Sequence, residues 1–219
     1  MSVPLIKNFD APPVDLEEIL RYLGQKERNA QIEGLIRESL EEVSEYLSYK
    51  ACYLRTNCQV GDGVVKIGES EICSSDLAKN LRGAKEIILF ACSIGFAIDR
   101  FIEKYKVIAP TKSLVMHAVG VERVESLANE FCFFMMKELK KENKSLKPRF
   151  SAGYGDFGIE NQKLFFDTLD ISKLLGITLN ESMLMSPSKS VTAIIGITKE
   201  KEPDCHGCDT CNAKCEYRR

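Results

Sequence analysis

The chain lacks a charge excess, a long apolar run, a leader-like opening and internal repeats, and each shortage excludes a class of protein. Thirty Lys and Arg stand against 32 Asp and Glu, for a formal net charge of −2. No global positive field is available to hold a phosphate backbone, so nucleic acid is not an expected partner. The longest apolar stretch, IILFACSIGFAI from Ile87 to Ile98, is broken by Ser93 and too short to span a bilayer, so no membrane partner is expected either. The opening, MSVPLIKNFDAPPVD, has neither the basic nor the apolar region of a secretory leader. A cytoplasmic protein is expected. With no repeats or low-complexity segments, 219 residues at 44% hydrophobic and 28% charged suit one core, or one core with a small appendage.

Cysteine, by contrast, is plentiful, with nine in the chain. Cys52, Cys58, Cys73, Cys92 and Cys132 are scattered, mostly in apolar or strand-like settings, where a reduced cysteine acts as a small hydrophobe. The other four, Cys205, Cys208, Cys211 and Cys215, form C-x2-C-x2-C-x3-C near the C-terminus. That spacing equals the bacterial ferredoxin run, although Glu216 stands where that run has proline. Zinc more often uses two separated C-x-x-C knuckles. An iron-sulfur cluster, a zinc ion, and no metal at all, including disulfide pairs, remain open for these thiols.

Along the chain, Asp15 can cap a helix LEEILRYLG that Gly24 would end. A second helix carries Ile32, Leu35, Ile36, Leu40, Val43 and Leu47 at helical steps. From Ala51 a strand, a Gly-Asp-Gly turn and a second strand follow. A short helix is expected over Ser75 to Leu81, then a buried strand KEIILFACS that leads at Gly95 into the helix FAIDRFIEKYK. A long helix from about Leu114 to Lys140 ends in a basic stretch, as suits a helix C-terminus. A Gly-rich loop, helices near Ile159 to Leu169 and on to Leu175, and two strand-like pieces complete the order. This pattern predicts an α+β fold with a twisted, largely antiparallel sheet. Residues 1–84 read as a helical and hairpin region packed on a core of 85–200, with 201–219 a Cys-rich tail.

Three ordered blocks carry a resemblance. RFSAGYG at Arg149–Gly155 has the form R-x-x-x-G-Y, and LNESMLMSPSKSV at Leu179–Val191 has the form L-x-E-S-x-x-M-x-P-x-x-S-V. Upstream, ACSIGFAID leads to HAVGVERVESLANEF. From Lys85 to Ile197 the chain resembles the activation, or reactivation, domain of cobalamin-dependent methionine synthase. The resemblance implies an activation-domain-like fold and an S-adenosylmethionine site used in reductive methylation of cobalamin. Cobalamin would be held by a separate methionine synthase or another corrinoid protein, since 219 residues leave no room for its binding module. Flavodoxin or ferredoxin would be the implied electron donor. A non-catalytic module that keeps the fold is the remaining class.

The residue types suit recognition. Arg149 offers a planar fork for the methionyl carboxylate, and Glu125 on the long helix could pair with the methionyl ammonium. Ser151, Ala152, Gly153 and Tyr154 lie in a loop where Gly153 and Gly155 allow close backbone approach to an adenine edge. Glu181 and Ser182 read as turn-tying residues, and His117 as a packed or surface histidine rather than a cobalt ligand. Methyl transfer to reduced cobalt asks for positioning more than for acid-base help, so a missing catalytic dyad is no objection. The loop departs from the family in lacking prolines around Gly-Tyr, with Phe150, Ala152 and Gly155 in those places.

Overall fold

The computed structural model describes residues 3–25 and 27–199. It opens on a strand, β1 (Leu5–Asn8), where the sequence pattern assigns no element. Leu5 and Ile6 are both about half exposed, at 56% and 50%, so no alternation marks this strand. Helix α1 (Leu16–Tyr22) starts at Asp15, whose side chain accepts from the Glu18 amide, and Gly24 follows it with φ +69°. Helix α2 (Ala30–Val43) is capped by Asn29 and passes into a 3-10 turn at Ser44–Tyr46, short of Leu47. Strands β2 (Lys50–Val60), β3 (Val64–Ile67) and β4 (Ser70–Cys73) form a meander through tight turns, with Gly63 at φ +73° in the first.

Helix α3 (Ser75–Asn80) begins at Ser74, and strand β5 (Glu86–Ser93) leads into α4 (Ala97–Ile108). The long α5 (Pro110–Lys140) starts four residues before the expected Leu114, because Pro110 fits a first turn that needs no amide donor. Beyond it lie β6 (Ser145–Leu146), α6 (Gln162–Leu169) and α7 (Ile171–Leu175). Strands β7 (Thr178–Leu179) and β8 (Met185–Ser186) form a separate small hairpin, and β9 (Ser190–Thr198) returns to the main sheet.

The main sheet runs β4-β3-β2-β5-β9-β6, with β1 also on β2, and every pairing is antiparallel. Strand β2 gives one edge to β5 from Lys50 to Asn57 and divides the other between β1 and β3. Residues on both sides of position 84 therefore share one sheet. Helices cover both faces. Ile88, Phe90 and Cys92 of β5 face α1, α2, α4 and α5, whereas Ile87, Leu89 and Ala91 face α3, α6 and α7. A strand buried on both faces needs an unbroken apolar run, which is what IILFACS supplies. Phe90 stacks on Phe131 of α5 at 4.7 Å, and each such fully buried side chain contributes roughly 1.5–3 kcal/mol.

The chain after β6 wraps the edge of β9. Lys147 N–H donates to the Gly196 carbonyl at 2.8 Å, and Phe150 exchanges two hydrogen bonds with Ile194, at 2.9 and 2.8 Å. Between them Arg149 is turned toward α5, while Ala152 and Phe157 pack into the core on the opposite face. No helix among the described residues is long and apolar enough to cross a membrane.

Candidate functional site

Arg149 and Glu125, expected from sequence to hold opposite ends of one ligand group, meet each other. Arg149 Nη2 donates to Glu125 Oε2 at 3.0 Å and to Asn129 Oδ1 at 2.9 Å. Both charged side chains are partly exposed. Burial works most strongly against the Arg149 cation, but Glu125 foremost, together with Cys132 and Cys92, keeps the group above its ordinary value. The thiols of Cys92 and Cys132 lie in the same electrostatic neighbourhood, where burial pushes both up and holds them protonated.

Glu125 belongs to a polar strip on an otherwise apolar helix. Glu122, Glu125, Ser126 and Asn129 share one face of α5, and with Asp15, Glu18 and Tyr22 they line a small cleft between α5 and the N-terminal segment. Glu122, one of the lining residues, belongs to a buried ion pair: Glu122 and Arg123 are 1% and 2% exposed. Arg123 Nε and Nη2 donate to the two Glu122 oxygens at 2.6 Å each. Its remaining donors reach the carbonyls of Pro12 (2.6 Å) and Pro13 (2.7 Å). Glu122 Oε1 also accepts from Ser126 Oγ at 2.6 Å and from the Asp15 amide at 3.1 Å. The two Arg123 hydrogen bonds to Pro12 and Pro13 thus fasten the Pro-Pro lead over the helix, and Asp15 and Glu18 line the cleft with Glu125. Sequence reasoning found only Glu125 here and read Asp15 as a cap. Its available signal was the i, i+3, i+4, i+7 spacing of four polar residues within VERVESLAN.

Ser151, Ala152, Gly153 and Tyr154 follow Arg149 into a tight loop. Gly153 takes φ +96° and donates its N–H to the Phe157 carbonyl at 2.7 Å, a geometry that favours glycine. Ala152 is buried, and Tyr154 is 64% exposed with its ring 6.4 Å from that of Phe150. The structure therefore brings Arg149 and Glu125 into contact and places Ser151, Ala152, Gly153 and Tyr154 in the adjoining loop; of the six, Glu125 lines the cleft between α5 and the N-terminal segment.

The LNESMLMSPSKSV block folds against the upstream block. Ser188 N and Oγ donate to the Asp99 carboxylate, Lys189 Nζ donates to Ser188 Oγ at 3.1 Å, and Ser190 Oγ donates to Ser93 Oγ at 3.0 Å. These bonds join MSPSKSV to ACSIGFAID. Glu181 and Ser182 lie in the β7–β8 turn. His117 sits on the exposed side of α5, and burial, helped by Lys189, lowers its pKa against the pull of Asp99. Cys205, Cys208, Cys211 and Cys215 lie outside the described residues. Among the described residues no cluster of His, Cys, Asp and Glu could hold a metal ion.

No protein-family model matches the sequence, and no curated protein matches it. Solved structures do match, thirteen chains in all. Among them is the crystal structure of the MetH reactivation domain bound to AdoHcy, with a TM-score of 0.69 at 13% identity. The likeness covers 91% of this chain and 80% of that one. At that identity it is a likeness of fold: mixed helices around a largely antiparallel sheet, in the arrangement of the reactivation domain.

Proposed function

We propose that this protein binds S-adenosylmethionine beside Arg149 and supports reductive methylation of cobalamin held by a separate cobalamin-dependent methionine synthase. The observation that carries the reading is the Arg149–Glu125 pair at 3.0 Å, set at the start of an R-x-x-x-G-Y loop in a reactivation-domain fold. A methionyl group carries one carboxylate and one ammonium. Arg149 can take the first and Glu125 the second, so that one internal ion pair is replaced by two. The cleft fits the rest of the ligand's charge: its walls place Asp15, Glu18, Glu122 and Glu125 near Arg21, Arg123 and Arg149, an excess of one carboxylate. A sulfonium ligand has net charge +1 and its demethylated product has none, so the cleft favours the methyl donor.

When bound, S-adenosylmethionine supplies an activated methyl group, and the partner's cobalamin supplies its acceptor. The chain's own residues orient: Arg149 and Glu125 fix the amino-acid end, and the backbone of Ser151, Ala152 and Gly153, with the exposed Tyr154, offers polar edges and an aromatic face for the adenosine. The cysteines at Cys205, Cys208, Cys211 and Cys215 favour a second reading, in which an iron-sulfur cluster on the tail delivers the electron in place of flavodoxin or ferredoxin, for another corrinoid methyltransferase. Iron and sulfide analysis of anaerobically prepared protein decides it: a metal-free or zinc-only protein removes the tail as an electron source.

Calorimetric titration of the reduced protein with S-adenosylmethionine, and with its demethylated product, tests the main reading. Saturable binding that favours the methyl donor supports it. No heat of binding at millimolar ligand overturns it and leaves a module that has kept only the fold.

A further inference from the structure

The loop after Arg149 has glycines at 153, 155 and 158 and no proline between Ser151 and Gly158, so its own composition leaves it free to move. Beside its own backbone hydrogen bonds, it is fastened to a segment about 80 positions away. Asp156 Oδ1 accepts from Ser74 Oγ at 2.5 Å and from the Asp76 amide at 3.1 Å, and Oδ2 accepts from the Ser75 amide at 2.7 Å. The attachment is reciprocal, since Asp76 Oδ2 accepts from the Asp156 amide at 3.3 Å. Ser74 is already the cap of α3, taking the Leu77 amide at 3.0 Å, so Asp156 satisfies the amides that the cap leaves over.

Neighbouring residues are fitted to this clasp. Gly155 has φ +53°, and a Cβ there would lie 2.2 Å from Asp76 Oδ2, so any side chain would push the clasp apart. Phe157, one residue beyond Asp156, is fully buried in the same core as Leu77 of α3. The Ser74 hydrogen bond foremost, against a smaller effect of burial, and then the Ser75 and Asp76 amides, keep the Asp156 carboxyl below its ordinary value.

We propose that Asp156, clasped by Ser74, Ser75 and Asp76, is the positioning residue of the ligand-reading loop, so that affinity for S-adenosylmethionine depends on a group that does not touch the ligand. The proposal rests on the reading given under Proposed function. Its physical basis is preorganisation: a loop already held in one shape loses less conformational freedom when a ligand settles on its backbone.

The test combines calorimetry with S-adenosylmethionine and amide hydrogen exchange on full-length wild type, Asp156→Ala, Asp156→Asn and Ser74→Ala. Asp156→Ala is expected to weaken binding by roughly three- to tenfold, in line with the loss of a helix cap. Asp156→Asn, which keeps one acceptor oxygen, should recover part of that loss. The Gly153 and Phe157 amides should exchange faster in the same order, while core amides of β5 keep their protection. Affinity in Asp156→Ala equal to wild type overturns the proposal. So does a loss of affinity that tracks global unfolding, with no graded recovery in Asp156→Asn and no local change in exchange. Should Asp156→Ala fail to fold, Asp156→Asn and Ser74→Ala carry the same comparison. If wild type itself binds no S-adenosylmethionine, the functional reading fails, and the exchange of Gly153 and Phe157 still decides whether the clasp orders the loop.

Discussion

Replacing Arg149 by alanine separates what the residue does for a ligand from what it does for the fold. In the free protein its guanidinium donates to Glu125 and Asn129. Both charged side chains reach solvent, with relative exposures of 23% and 35%, so water can replace the lost partner and the stability cost should be at most about 1 kcal/mol. A charge-assisted contact to a ligand carboxylate contributes about 1.5–3 kcal/mol. Binding in wild type must first open the Arg149–Glu125 pair, at a cost of roughly 0.5 kcal/mol that the variant escapes. The net loss of about 1–2.5 kcal/mol corresponds to a five- to sixtyfold weaker Kd. Arg149→Lys, which keeps the charge without the fork, should fall between. The assay is calorimetric titration with S-adenosylmethionine, alongside urea unfolding of each variant. A wild type that binds and an Arg149→Ala variant that binds within twofold of it would refute the assignment, and so would a variant whose weakened binding is matched by a large loss of stability.

Removing the buried cation is expected to act in the opposite way. Arg123→Ala leaves Glu122 charged and buried and frees the Pro12 and Pro13 carbonyls, so urea unfolding should show a loss of about 3–5 kcal/mol; a loss below 1 kcal/mol would mean the N-terminal segment is not fastened there. Two glycines should respond with opposite signs to alanine. A Cβ at Gly120 would lie 2.9 Å from both Ile98 Cγ1 and Lys189 Cε, whereas nothing lies within 4 Å of one at Gly34 in α2. Gly120→Ala should therefore cost about 1–3 kcal/mol and Gly34→Ala should add about 0.5–1 kcal/mol, both read from urea midpoints. Burial opposes ionisation of Glu42, but hydrogen bonds from Lys112, Tyr105 and Lys104 prevail and hold its pKa at about 2, below the ordinary 4.5. A depressed carboxyl stabilises the fold above its unfolded value, and that contribution is lost as pH falls from about 4.5 through about 2. Glu42→Gln should remove about 1 kcal/mol at neutral pH, allowing for solvent screening, and flatten this part of the acid unfolding curve; an unchanged curve would count against the Glu42 cluster.

What could be read from the sequence was local. The double-faced burial of β5 shows in its unbroken apolar run, the start of α1 in Asp15, and the β2–β3 hairpin in Gly-Asp-Gly, because each is decided by side chains a few positions apart. Strand β1 could not be read: its successive residues Leu5 and Ile6 are both about half exposed, and its pairing with β2 (Leu5 opposite Tyr53) makes it a strand. Arg149 and Glu125 were singled out through their motif blocks, and the fold brings the two side chains into contact. Asn129 was missed, along with the strip it shares with Glu122 and Ser126, because Arg149 meets it from a distant loop and the other wall of the cleft comes from the N-terminal segment. The Asp156 clasp escaped for the same reason, since its donors stand at Ser74 to Asp76.

The place of β9 in the sheet bears on how the chain can be synthesised. It is the last strand of the described residues, yet it lies beside β5 in the interior, with Glu86 opposite Ile197 and Ser93 opposite Ser190. Until the ribosome has released residues 190–198, a nascent chain holds β5 with one edge unpaired. Folding therefore cannot finish from the N-terminus outward. Partly made chains should be clients of chaperones, and any truncation before Thr198 should yield an aggregating product rather than a smaller working domain.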